Sequence, residues 1–153
     1  MFGFSLPTFA ITFFVIAIVG FIVTRMRKNR AAKGARSRVL AGPWIDAQDL
    51  VADRMNDGGK YSKEDGPGCY IILVFDHEVQ DGDYSGYREA YVGKALEVYE
   101  GACLKVAELM ADGTTLSDAD ESSHTYVQVR HYDEGKLKVR ERDIAKLMGI
   151  KLP

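Results

Sequence analysis

The side chains that most often bind metals or act as nucleophiles are few in this chain of 153 residues. The two cysteines, Cys69 and Cys103, have no second Cys and no His at the spacing of a metal site. The three histidines, His77, His124 and His131, show no pairing along a helix or across a hairpin that favours a metal. These residues therefore predict two small apolar thiols in the core and three histidines in loops or on strand surfaces.

Charge is distributed very unevenly along the sequence. Residues 1–24 contain no charged side chain, whereas residues 25–38 carry seven positive charges and no negative one. All 22 acidic residues and 13 of the 20 basic residues lie in residues 39–153, which gives that part a net charge of −9. Because proteins bind nucleic acid mainly by neutralising phosphates with Lys and Arg, this acidic part disfavours a nucleic acid partner without excluding one.

The uncharged segment has the length and composition of a membrane anchor. Residues 4–24 form an apolar run of about 21 residues, which as a helix spans roughly the 30 Å hydrocarbon core of a bilayer. The alternative is a cleaved secretory signal, but no Lys or Arg precedes the run and no A-x-A-like site ends it. Since seven bases follow the run directly, we expect the lipid bilayer as a partner, the N-terminus outside and the remainder of this single-pass protein in the cytoplasm.

Hydrophobic patterning divides residues 39–153 into short helices and strands, enough for one compact domain. The predicted strands cover residues 69–75, 87–93 and 124–132, and the predicted helices cover residues 46–55, 96–110 and 138–148. Residues 56–68 and 112–123 are predicted loops, and the second, although acidic, lacks the ligand spacing of a calcium loop. This order of elements is typical of an α+β fold with a small sheet.

Two tripeptides mark the first two predicted strands. Gly68-Cys69-Tyr70 begins the first strand, and Tyr91-Val92-Gly93 ends the second. With the order strand, strand, helix, strand, helix, these tripeptides resemble the GIY-YIG nuclease superfamily, and the run YVGKA is similar to its excision-repair branch. The resemblance implies a three-stranded antiparallel sheet.

The domain organisation then follows from the anchor and the resemblance together. We expect a transmembrane anchor in residues 1–24, a basic juxtamembrane linker in residues 25–41 and a short helix and loop in residues 42–67. Residues 68–153 would form the GIY-YIG-like domain.

The resemblance also implies a site. Family members carry two tyrosines that line a cleft and help to activate water for phosphodiester attack, and Tyr70 and Tyr91 are the matching residues. A glutamate on the last helix of the family holds one divalent metal, Mg²⁺ or Mn²⁺, and Glu141 matches it; such an ion lowers the pKa of bound water. The alternative for each residue is structural, namely ordinary strand aromatics and a solvated helix glutamate.

At one position the sequence departs from the family. An arginine is expected ten residues after Tyr91, and Gly101 stands there; one turn later, where His or Tyr is common, stands Lys105. An arginine guanidinium binds a phosphate with two parallel hydrogen bonds. The ammonium group of Lys105 could bind the same phosphate only as a point charge. Because we expect Gly101 to be exposed, Gly101→Arg should be tolerated.

The functional prediction is therefore a membrane-tethered, catalytically degenerate domain that acts as a binding or interaction module. Two alternatives stay open. The first is a metal-dependent, phosphodiester-cleaving nuclease, and the second is an acidic membrane adaptor for a protein partner.

Overall fold

The computed structural model describes residues 6–56, 59–112 and 124–153, and the chain divides into two compact units, Met1–Ser37 and Arg38–Pro153. The described residues of the first unit belong to one helix, α1, which runs over Leu6–Leu40. By length and composition, Ala10–Leu40 could cross a membrane. Residues 25–40, predicted as a linker, continue the helix because they contain no proline and are rich in Ala, Lys and Arg.

The second unit is built on a four-stranded antiparallel sheet with the strand order β1-β4-β2-β3. The strands are β1 (Ile45–Asp46), β2 (Gly68–Val74), β3 (Glu89–Ala95) and β4 (Thr125–His131). The helices are α2 (Ala47–Met55), α3 (Lys60–Lys63), α4 (Val98–Ala111) and α5 (Leu137–Met148), and a 3₁₀ turn at Glu134–Lys136 precedes α5. Strand β2 is central, which explains its almost uninterrupted apolar sequence.

The α+β class is confirmed, and the sheet differs from the prediction in having four strands. Strand β1 pairs only two residues with β4 and is too short to show a sequence period. Helix α3 lies within a stretch that was predicted as loop. Asp46 caps α2, with its carboxylate accepting from the backbone N–H of Gln48 at 2.8 Å. The predicted acidic loop falls largely on residues 113–123, which lie outside the described residues.

Alternate side chains of β2 enter two different cores. Ile72 packs with α2 and α4 on one face of the sheet, whereas Ile71 and Leu73 pack with α5 on the other. Cys69 is fully buried on the α5 face and Cys103 is half-buried; both thiols are free. Burial is the main cause that raises the pKa of each thiol to about 11, so both stay protonated at neutral pH.

Candidate anion-binding cleft

Tyr70 occupies its position because two glycines leave room for its ring. In the sheet Tyr70 lies directly opposite Gly93 of β3, and a Cβ on Gly93 would overlap the Tyr70 ring. On α4, a Cβ on Gly101 would lie 3.5 Å from Tyr70 Cε1 and 2.6 Å from the Cβ of Ala95. The expectation that Gly101 is exposed is therefore wrong, since the residue is half-buried where α4 approaches the sheet.

The four residues that the sequence singled out line one cleft of about 910 Å³: Tyr70, Tyr91, Lys105 and Glu141. The cleft lies along β3, one of the two edge strands of the sheet, and α4 and α5 both pack against this strand. Tyr70 and Tyr91 project to the α4 side, while Glu141 belongs to α5. Helix α4 supplies Lys105. Residues of β2, α4 and α5 therefore meet beside the edge strand β3.

The second tyrosine and the helix lysine of the cleft are held by neighbours. The hydroxyl of Tyr91 donates to Glu89, two residues earlier on the same strand. The ammonium of Lys105 lies 5.4 Å from the centroid of the Tyr91 ring and 3.0 Å from Glu108 Oε1. A lysine over a tyrosine face is a cation–π contact, which restricts where Lys105 points.

Tyr70 is a proton donor rather than a base at neutral pH. Burial is the largest cause that raises the pKa of its hydroxyl, and the negative charges of Glu141 and Glu108 raise the pKa further. The phenol therefore keeps its proton and can donate a hydrogen bond to an anionic oxygen in the cleft.

Glu141 forms an ion pair with Lys94 of β3, and the side chain of Glu141 is only 13% exposed. The other acidic residue of the cleft is Glu108, which pairs with Lys105. Mg²⁺ and Mn²⁺ require oxygen ligands, and each carboxylate here is already bound to an ammonium group. No cluster of three His, Cys, Asp or Glu side chains occurs anywhere in the described residues. Both carboxylates of the cleft are therefore engaged by ammonium groups in this arrangement.

Basic residues are concentrated in the cleft, although the domain as a whole is acidic. Six of the 13 basic residues among residues 39–153 line it, against two of the 22 acidic residues. The six are Lys94, Lys105, Lys138, Arg142, Lys146 and Lys151. Within the described part of the chain, the last four form no ion pair. The net charge of −9 that residues 39–153 carry does not reveal this electropositive cleft.

Sequence reasoning missed most of these bases. Lys138, Arg142 and Lys146 recur every four residues, which places them on one stripe of α5 about 6 Å apart along its axis. The four-residue spacing is visible in the sequence. It does not by itself indicate a binding site, because basic residues at this spacing commonly lie on the solvent-exposed face of a helix. Only the packing of α5 against β3 turns the stripe towards the cleft.

The chain was compared with protein-family models, with curated proteins and with solved structures. No protein-family model, curated protein or solved structure matches the chain.

Proposed function

We propose that the Arg38–Pro153 domain is a binding module that holds the phosphodiester backbone of a nucleic acid in the basic cleft and does not cleave it. The observation that supports this most directly is the concentration of six basic residues in one cleft of an otherwise acidic domain. Lys and Arg bind phosphate both by charge and by hydrogen bonding, and four of these bases are not neutralised by an acid within the described residues.

The net charge of the domain does not oppose this proposal strongly. At about 0.1 M salt, charges separated by more than about 10 Å of solvent are largely screened, so a ligand in the cleft responds mainly to the groups that line it. Two tyrosines lie beside the bases. Aromatic rings next to a basic groove are the usual arrangement for binding single-stranded nucleic acid, because bases stack on the rings while cations hold the backbone.

Two features support binding without cleavage. Position 101 cannot supply the arginine fork, because any side chain there meets Ala95 and Tyr70. Lys105, the remaining cation of α4 in the cleft, is engaged by Glu108 and the Tyr91 ring. Losing one positioned charge stabiliser typically lowers the rate of such chemistry by about 10²–10³.

The full-length protein in nanodiscs of zwitterionic lipid should bind a fluorescent oligothymidylate, and affinity should fall steeply with salt. Fluorescence anisotropy measures both quantities, since the slope of log affinity against log salt reports the phosphates neutralised. The seven bases of residues 25–38 also attract DNA, so a variant with all seven replaced by glutamine serves as the control. Loss of all binding in that variant would refute the proposal for the cleft.

The convergence of Tyr70, Tyr91 and Glu141 on one cleft favours one other candidate, a metal-dependent phosphodiester-cleaving nuclease. The same labelled strand, incubated with Mg²⁺ or Mn²⁺ and run on a denaturing gel, separates the two. We expect an intact strand. Cleavage by the wild-type protein that is abolished by Tyr70→Phe and by Glu141→Ala would establish the nuclease instead.

We further propose that α1 anchors the domain to a membrane with the N-terminus outside. Its apolar part is long enough to span a bilayer, and the seven bases that follow favour a cytoplasmic location for the domain. A green fluorescent reporter fused after Pro153 should therefore fluoresce, whereas an alkaline phosphatase fused at the same point should be inactive. The reverse pattern would contradict this orientation.

A further inference from the structure

The ion pair between Lys94 and Glu141 lies inside the basic cleft. Both residues line it, and the Glu141 side chain is 13% exposed while that of Lys94 is 41% exposed. Water therefore screens the carboxylate poorly. Its charge contributes to the raised pKa values of both Cys69, on the α5 face of the sheet, and Tyr70, on the α4 face. The negative charge of Glu141 thus acts on both sides of the sheet edge.

Lys94 is the basic residue that the sheet edge itself contributes to the cleft. It follows Gly93 directly on β3, opposite Cys69 of β2. Lys138 and Arg142 flank Glu141 on α5, so the carboxylate stands among the cations that an anionic ligand would use. A phosphate that approaches Lys94 must therefore either displace Glu141 or accept its repulsion.

We propose that Glu141 is an internal competitor of the ligand: its carboxylate holds the ammonium of Lys94, the group that an incoming phosphate would otherwise bind. This inference rests on the proposed binding of phosphodiesters in the cleft. The pair weakens binding of anions in general and restricts the cleft to ligands with enough phosphates to engage the α5 bases as well.

The direction in which Glu141→Gln changes the affinity for the ligand separates this role from that of a metal ligand. If Glu141 is a competitor, Glu141→Gln frees Lys94, removes a repelling charge and tightens binding in the presence of EDTA. If Glu141 holds a metal that binds the ligand, the same substitution weakens binding in Mn²⁺ and leaves binding in EDTA unchanged.

The measurement uses the full-length protein in zwitterionic nanodiscs and a fluorescent oligothymidylate, in EDTA and at fixed salt. We expect Glu141→Gln to lower the Kd about tenfold, since a like charge beside the ligand is replaced by a neutral amide. Asp143→Asn is the matched control, because Asp143 is an exposed acid on the same helix and does not line the cleft. It should change the Kd by less than about twofold.

A second pair of variants measures the coupling between Lys94 and Glu141. Lys94→Met leaves Glu141 without its cation and should raise the Kd about tenfold. Independent effects of the two substitutions would cancel in the double variant Lys94→Met/Glu141→Gln and return its Kd to the wild-type value. If Glu141 acts by occupying Lys94, the gain from Glu141→Gln is smaller without Lys94, so the double variant should bind more than about threefold more weakly than the wild type. A wild-type Kd in the double variant would show that the two residues act independently and would overturn the competitor role.

The outcomes distinguish this inference from the proposed function. If the wild type binds and Glu141→Gln binds equally or more weakly, the competitor role is overturned while phosphodiester binding stands. If only Glu141→Gln binds, the competitor role is supported and the wild-type cleft is closed to this ligand. If neither protein binds, both proposals fail together.

Discussion

Replacing Lys138, Arg142 and Lys146 of α5 together by glutamine should raise the Kd for an oligothymidylate at least about 100-fold. Each of these side chains lines the cleft, and none forms an ion pair with another described residue. A hydrogen bond to a charged group contributes about 1.5–3 kcal/mol, so the loss of three should exceed two powers of ten even if each contact is incomplete. The salt slope should fall by about two to three, one for each phosphate no longer neutralised.

The control for this variant has the same charge change away from the cleft. Lys60, Lys63 and Arg140 are exposed and do not line the cleft. Replacing these three bases by glutamine lowers the net charge of the protein by three, as in the first variant. Glutamine is a good helix former, and all six positions are exposed, so both variants should melt at nearly the wild-type temperature. Equal losses of affinity in the two triple variants would mean that overall charge, and not the cleft, attracts the ligand.

Gly93→Ala should destabilise the domain by about 1–3 kcal/mol, although alanine usually costs less conformational entropy than glycine in a strand. The reason is that the new Cβ would overlap the Tyr70 ring, which lies across Gly93 in the antiparallel pair of β2 and β3. The midpoint of thermal unfolding should fall by about 5–15 °C. Because the ring must move, Gly93→Ala should also weaken ligand binding in the cleft.

A double-mutant cycle identifies the cause. In a Tyr70→Ala background the space beside position 93 is open, so Gly93→Ala should cost much less than it does beside tyrosine. Gly86→Ala is the control, since a Cβ there meets nothing within 4 Å. If Gly93→Ala costs the same with and without the Tyr70 ring, the glycine is required for a reason other than the ring.

The sequence singled out Gly101 for the side chain that it lacks, whereas the structure gives this glycine a role in packing. The expected arginine is absent, and the structure shows a helix glycine against Ala95 and the Tyr70 ring. Gly101→Arg, which the sequence alone predicted to be tolerated, would therefore force α4 away from the sheet. The contact that excludes it joins a helix to two strands, and no periodicity within α4 reveals such a contact.

Local patterns determined several features of this protein. The uncharged run and the bases after it predict an apolar N-terminal helix, and the continuous apolar sequence of β2 predicts a strand buried on both faces. The two tripeptides point to Tyr70 and Tyr91, and the resemblance that they carry points to Glu141; all three line the cleft. These signals are readable because each depends on neighbouring residues or on a short motif.

Only the tertiary structure decided what the cleft contains. Lys94 and Glu141 are 47 residues apart in sequence, and the basic stripe of α5 faces the cleft only because α5 packs along the edge strand β3. The net charge of residues 39–153 predicts the opposite electrostatic character from the one that the cleft has. Composition sums charges over the chain, whereas a ligand responds to the few charges within a Debye length, and folding alone determines which charges those are.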